Sequence, residues 1–188
     1  MRRVRQVSTA HCGPAALEML ASFCGFKISQ RQFEAALGVG RHFYTYGMTI
    51  DQMGEVTEKL LPPSLHFWYK HESSMEELEQ LVEQERQPVG IEWQGVFEEE
   101  ADDDDGHYSV VTHLNLAEDL IVIADPYGRY VGTDRIFRAQ FFEQRWWDTN
   151  EVFDPQIGRE RKVRDFHSLF VIASDALTFP QRYSLTRY

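Results

Sequence analysis

The hydrophobic period of this chain changes once: helical signals fill roughly its first 85 residues and strand signals most of the rest. Pro14 suits a first helical turn, where its missing N–H costs nothing, and Ala16, Leu17, Leu20 and Phe23 recur at helical spacing up to Gly25. Apolar residues cover much of that helix's circumference, so it is expected to be central and buried. Ser29 with Gln32 reads as a capping box for a second helix through Leu37, closed by Gly38. Thr49 with Gln52 opens a third, running to about Leu61 before Pro62-Pro63, and Ser74 with Glu77 opens a fourth carrying Leu78, Leu81 and Val82. The period then shortens. "LHFWY" (65–69), "PVGIEW" (88–93) and "FHSLFVIAS" (166–174) read as strands, and "HYSVVTHLNL" with "LIVIADP" as a hairpin turning near Ala117-Glu118-Asp119. "FRAQFFEQRWW" (137–147) is either a late helix or an aromatic-rich loop, its Phe and Trp pairs expected in the core. Helices followed by a mostly antiparallel sheet give an α+β class, and the absence of repeats or a linker predicts one domain over 1–188.

Charge and cysteine content narrow the partners. Thirty acidic residues against nineteen basic ones leave a net charge of -11, which argues against nucleic acid. No signal peptide or membrane span is legible, and two cysteines without a C-x-x-C predict neither a disulfide scaffold nor structural zinc. A cytoplasmic protein without metal or cofactor is expected. "EEEADDDD" (98–105) holds seven acids in eight residues and reads as a solvated loop without EF-hand spacing. Its position just before His107 suggests an influence on substrate choice, favouring basic substrates.

Chemistry centres on Cys12. A helix N-terminus lowers a thiol's pKa through its oriented N–H groups, and Cys12 stands at such a place. Alone it is equally well a small hydrophobe starting a buried helix. Cys24, at the helix end between Phe23 and Phe26, reads as core. A nucleophilic thiol needs a base, and the base an orienting acceptor. Of seven histidines, His107 is distinguished by opening a strand directly after Gly106, with "ADPYG" closing the next strand. A turn centred on residue 116 sets Asp125 opposite His107, on one face and within reach of the imidazole. His113 shares that face by parity but lies deeper. His11 is expected to project elsewhere, and His42, His66, His71 and His167 read as surface or structural. The backbone N–H of Cys12 is one candidate oxyanion donor, and the side-chain amide of Gln6 another.

Gln6-x5-Cys12-Gly13-Pro14-Ala15 at a helix head, Gly106-His107-Tyr108 opening a strand and Asp125-Pro126-x-Gly128 after the next resemble the papain-like cysteine peptidases. More narrowly they resemble the family that cuts double-glycine leader peptides from bacteriocin precursors, here read as a stand-alone form. The resemblance implies a papain-like fold and peptide-bond hydrolysis through a thioester, without a metal. It assigns Cys12 as nucleophile, His107 as general base and acid, Asp125 as orienter and Gln6 to the oxyanion hole. The implied partner is a peptide or protein substrate. A non-cleaving peptide-binding module of the same fold, and a related thiol acyl or peptidyl transferase, are the alternative readings.

Overall fold

The computed structural model of the protein describes residues 1–38, 41–97, 106–154 and 158–188. The acidic run 98–105 and its expected role lie outside the described residues.

A short 3-10 turn, Thr9–His11, leads directly into α1 (Cys12–Phe23), which is buried over most of its length as its all-round apolar pattern requires. The next helix, α2 (Gln30–Leu37), opens on the Ser29–Gln32 capping box and ends at Gly38, whose left-handed φ of 71° suits a residue without a Cβ. After α3 (Arg41–Tyr46) comes α4 (Ile50–Leu60), where Thr49 Oγ1 accepts from the Gln52 backbone N–H at 3.3 Å. Strand β1 (Leu65–Lys70) follows, then α5 (Met75–Glu79), opened by its own Ser74–Glu77 box and continued by a π turn over Gln80–Gln84. The sheet is then built from β2 (Val89–Gln94), β3 (Gly106–Asn115) and β4 (Leu120–Ala124).

The 137–147 stretch is neither one helix nor one loop. It divides into the end of β5 (Arg135–Phe137), the helix α6 (Ala139–Glu143) and the first residue of β6 (Trp147–Asp154). Strand β6 pairs only with β7 (Arg159–Phe166), as a separate two-stranded ribbon. The last elements are β8 (Leu169–Ser174), α7 (Phe179–Arg182) and β9 (Thr186–Arg187). Seven strands form one sheet in the order β5-β4-β3-β2-β8-β1-β9, and every pairing in it is antiparallel.

Apolar side chains pack on both faces of this sheet. One core joins α1, α2 and α4 to Phe67, Tyr108, Val110, Phe170 and Ile172. The other joins α5 and α6 to Trp93, Val111, Leu114, Leu169 and Val171. No helix among the described residues is long and apolar enough to cross a membrane.

The register of the central hairpin corrects the expected one. Val110 faces Ala124 and Val111 faces Ile123, after which a bulge at Thr112 shifts the pairing to His113 with Val122. The turn is therefore centred beyond residue 117. Asp125 lies one residue past the end of β4, diagonal to His107 and not directly opposite it. The extra residue also breaks the parity that linked His113 to His107: Val111 and Leu114 now share the inner core, while His113 is half-exposed and pairs with Glu83 at 2.7 Å.

A candidate thiol active site

Cys12 is the first residue of α1 and 8% exposed, so the head of the helix meets the sheet where β3 begins. Close packing makes this possible: a Cβ on Gly13 would lie 3.1 Å from Met53 Sδ and 3.5 Å from the Tyr108 ring. Burial alone pushes the Cys12 thiol up. The hydrogen bond and charge of His107, with the backbone N–H groups of Tyr108 and Gly13, outweigh this and hold it below its ordinary value. Cys24 has no such neighbours. Its Sγ reaches only the Ile172 carbonyl at 3.4 Å, and burial raises its thiol to about 11. Neither cysteine is in a disulfide.

His107 Nε2 meets Asp125 Oδ1 at 2.8 Å, which leaves Nδ1 for the thiol side. Desolvation lowers the imidazole's pKa, but the Asp125 and Cys12 interactions overcome it and lift it to about 10. Thiolate beside imidazolium is thus the favoured state of the pair. Asp125 is fully enclosed. Burial would raise its carboxyl, yet His107, the Tyr127 backbone N–H at 2.9 Å and Arg135 hold it down to about 2. Arg135 Nη1 donates to Asp125 Oδ2 at 2.7 Å and Nη2 to the Val96 carbonyl at 2.7 Å, while its guanidinium lies 3.8 Å from the Tyr130 ring centre.

Gln6 stands beside this row. Its backbone N–H donates to the Pro126 carbonyl at 2.8 Å, tying the chain entering α1 to the turn after Asp125. The buried Gln6 side chain gives its N–H2 to the carbonyls of Ser8 at 3.0 Å and Thr9 at 3.4 Å, and its Oε1 has no hydrogen-bond partner among the described residues.

Four other histidines make their contacts elsewhere in the fold. His11, wholly buried, binds Ser8 Oγ through Nδ1 at 2.6 Å and Glu34 through Nε2 at 3.3 Å. His66 sits against Glu58, His71 against Ser168, and His167 donates to the Ser73 carbonyl while stacking on Trp146. His42 has no described side chain.

Sequence reasoning overlooked three participants. Arg135 carries no local mark. Phe97, whose ring packs edge-on to His107 at 5.2 Å, is one aromatic among many. Glu92 had a signal, a lone acid inside the apolar strand "PVGIEW", and it is 2% exposed behind Tyr108.

A cavity of about 950 Å³ adjoins the cluster, between the segment entering α1 and the turn following Asp125, with Phe97 among its walls.

A thiol at the head of a buried helix, facing an imidazole and carboxylate held by an antiparallel sheet, is the arrangement of the papain-like fold. The model of the Peptidase_C39 like family matches residues 1–152, and the chain belongs to that family. Among solved structures it is similar to the peptidase domain of Streptococcus ComA, a bi-functional ABC transporter involved in a quorum-sensing pathway. The TM-score is 0.59 at 17% identity, covering 92% of this chain and 97% of that one. A double glycine motif protease from an AMS/PCAT transporter, in complex with the leader peptide, gives a TM-score of 0.56 at 15% identity over 91% and 89% of the two chains. No curated protein matches the sequence.

Proposed function

We propose that this protein is a cysteine peptidase, one domain over residues 1–188, that hydrolyses a peptide bond with Cys12 as nucleophile. The observation that carries the reading is His107 set between two partners: its Nε2 meets Asp125 at 2.8 Å, and on the other side it is near enough to Cys12 to help hold that thiol below its ordinary value. The Cys12 thiolate attacks the substrate carbonyl carbon. The oxyanion is met by the Cys12 backbone N–H and by the Gln6 amide; carbonyls one residue apart, as at Ser8 and Thr9, can share a single N–H and free the second. His107 gives its proton to the leaving amine as the C–N bond breaks and a thioester forms. It then takes a proton from water, which attacks the thioester and releases the acid and the thiolate. Asp125 holds the ring orientation throughout, and Arg135 holds Asp125. The known peptide complex of the double-glycine protease supports a peptide as substrate.

Alkylation separates the two cysteines by pH, because only a thiolate reacts. At about pH 6, iodoacetamide is expected to modify Cys12 at least tenfold faster than Cys24, whose thiol stays protonated up to about 11. In His107→Ala the preference should vanish. Equal rates in the parent protein, read by mass spectrometry of the two peptides, would refute the assignment.

A further inference from the structure

The Asp125-Pro126-x-Gly128 motif has a part that catalysis does not use. Gly128 has no positive φ, so conformational freedom does not explain its choice. What a side chain there would change is the place of Arg5: a Cβ would lie 2.8 Å from both its Nε and Nη2 and would displace the guanidinium. The bare backbone at 128 lets the Arg5 guanidinium lie against it, inside the wall of the 950 Å³ cavity.

Arg5 makes no ion pair or side-chain hydrogen bond with any described residue. No carboxylate lines the cavity among the described residues. Asp125, three residues from Gly128, is turned away into His107 and Arg135. Arg5 thus presents a cation without a described counter-charge to the cavity, on a protein whose net charge is -11. Aromatic rings link this charge to the reacting groups: Tyr130 to Tyr127 at 5.9 Å, Tyr127 to Phe97 at 4.8 Å, and Phe97 to the His107 ring at 5.2 Å. Gln6, also in the wall, keeps a buried acceptor without a donor among the described residues, which a bound backbone N–H would satisfy. A volume of this size suits an extended peptide segment or a comparable ligand.

We propose that this cavity is a substrate subsite that selects a carboxylate-bearing residue a short distance from the scissile bond, with Arg5 as the group that reads it. The proposal rests on the peptidase reading above for its substrate, and it favours acidic peptides where the charge run at 98–105 alone suggested basic ones.

The test uses fluorescence-quenched peptides with a central Gly-Gly in an alanine frame, carrying Glu, Gln or Lys at each flanking position in turn. At one position or more, Glu is expected to exceed Gln in kcat/KM by about three- to tenfold, with Lys below both. Arg5→Gln should bring the Glu-to-Gln ratio near one, Arg5→Glu should invert it, and 0.5 M salt should shrink it in the parent. Binding of the same peptides to Cys12→Ala, followed by fluorescence anisotropy, gives a readout independent of turnover. An Arg5-dependent preference in binding without any cleavage would sink the peptidase reading and leave the subsite standing. Cleavage with no Glu preference, or with one that Arg5→Gln leaves intact, overturns the subsite alone. No Arg5-dependent preference in either measurement overturns it as well.

Discussion

Tyr108 meets the site through its backbone and a buried carboxyl through its side chain. Its N–H supports the Cys12 sulfur, and its hydroxyl donates to Glu92 Oε1 at 2.5 Å, where Asn150 also donates at 3.3 Å. The second oxygen, Oε2, is buried without a partner among the described residues. Burial, then the nearby charge of Asp148 and Asp165, raise the Glu92 carboxyl to about 8 against the pull of Tyr108 and Asn150, so it holds a proton at neutral pH. Unfolded, the same group ionises near 4.5. Between those values the native state carries a proton that the unfolded chain has lost, so stability falls as pH rises through the window and levels off above it. Glu92→Gln keeps an acceptor for Tyr108 and cannot ionise. It is expected to be more stable than the parent at pH 7.5, by on the order of 1–3 kcal/mol, with a flatter pH dependence. Urea unfolding at pH 5.5, 7.5 and 9 decides it, and identical pH slopes for the two proteins would refute the assignment.

At the scale of elements, β5 is only three residues long and sits on the sheet edge, yet it delivers Arg135 to the buried oxygen of Asp125. Its role is one of positioning. Arg135→Met is expected to lower kcat by about ten- to hundredfold with little change in KM, and Arg135→Lys to recover part of the loss. A pure loss of stability with kcat intact in the folded fraction would remove Arg135 from the mechanism. Nothing in "GTDRIF" announces this, because the contact is made only when the hairpin closes. The helices were legible for the opposite reason: capping boxes at Ser29, Thr49 and Ser74 are local hydrogen-bond patterns that tertiary packing did not override. The β6–β7 ribbon escaped notice because "RERKVRDF" carries six charged residues in eight and has no apolar alternation to read. The closeness of His107 and Asp125 was legible in strand ends and turn chemistry, whereas the register between them needed the Thr112 bulge, which no sequence pattern marks.

Across the whole molecule, the sheet separates two apolar cores, and Phe170 ties its centre to the core that carries α1. The ring stacks on Phe67 at 5.4 Å, packs edge-on to Tyr108 at 5.9 Å and lies over Gly90, where a Cβ would come within 2.2 Å of it. Phe170→Ala is expected to cost about 3–5 kcal/mol, measured by denaturant unfolding followed through tryptophan fluorescence. A loss below about 1 kcal/mol would mean that the two strands flanking β8 collapse onto the gap.

The placing of the thiol and its partners in separate parts of the chain governs when chemistry becomes available. Cys12 leaves the ribosome well before His107 and Asp125, and α1 by itself gives the sulfur only its helix-end amides. The imidazole, the carboxylate and the Tyr108 amide arrive together, when β3 pairs with β2 and β4 and the sheet docks on the helix. On the proposed mechanism a growing or misfolded chain carries an ordinary cysteine, and the activated thiol belongs only to molecules that have finished folding.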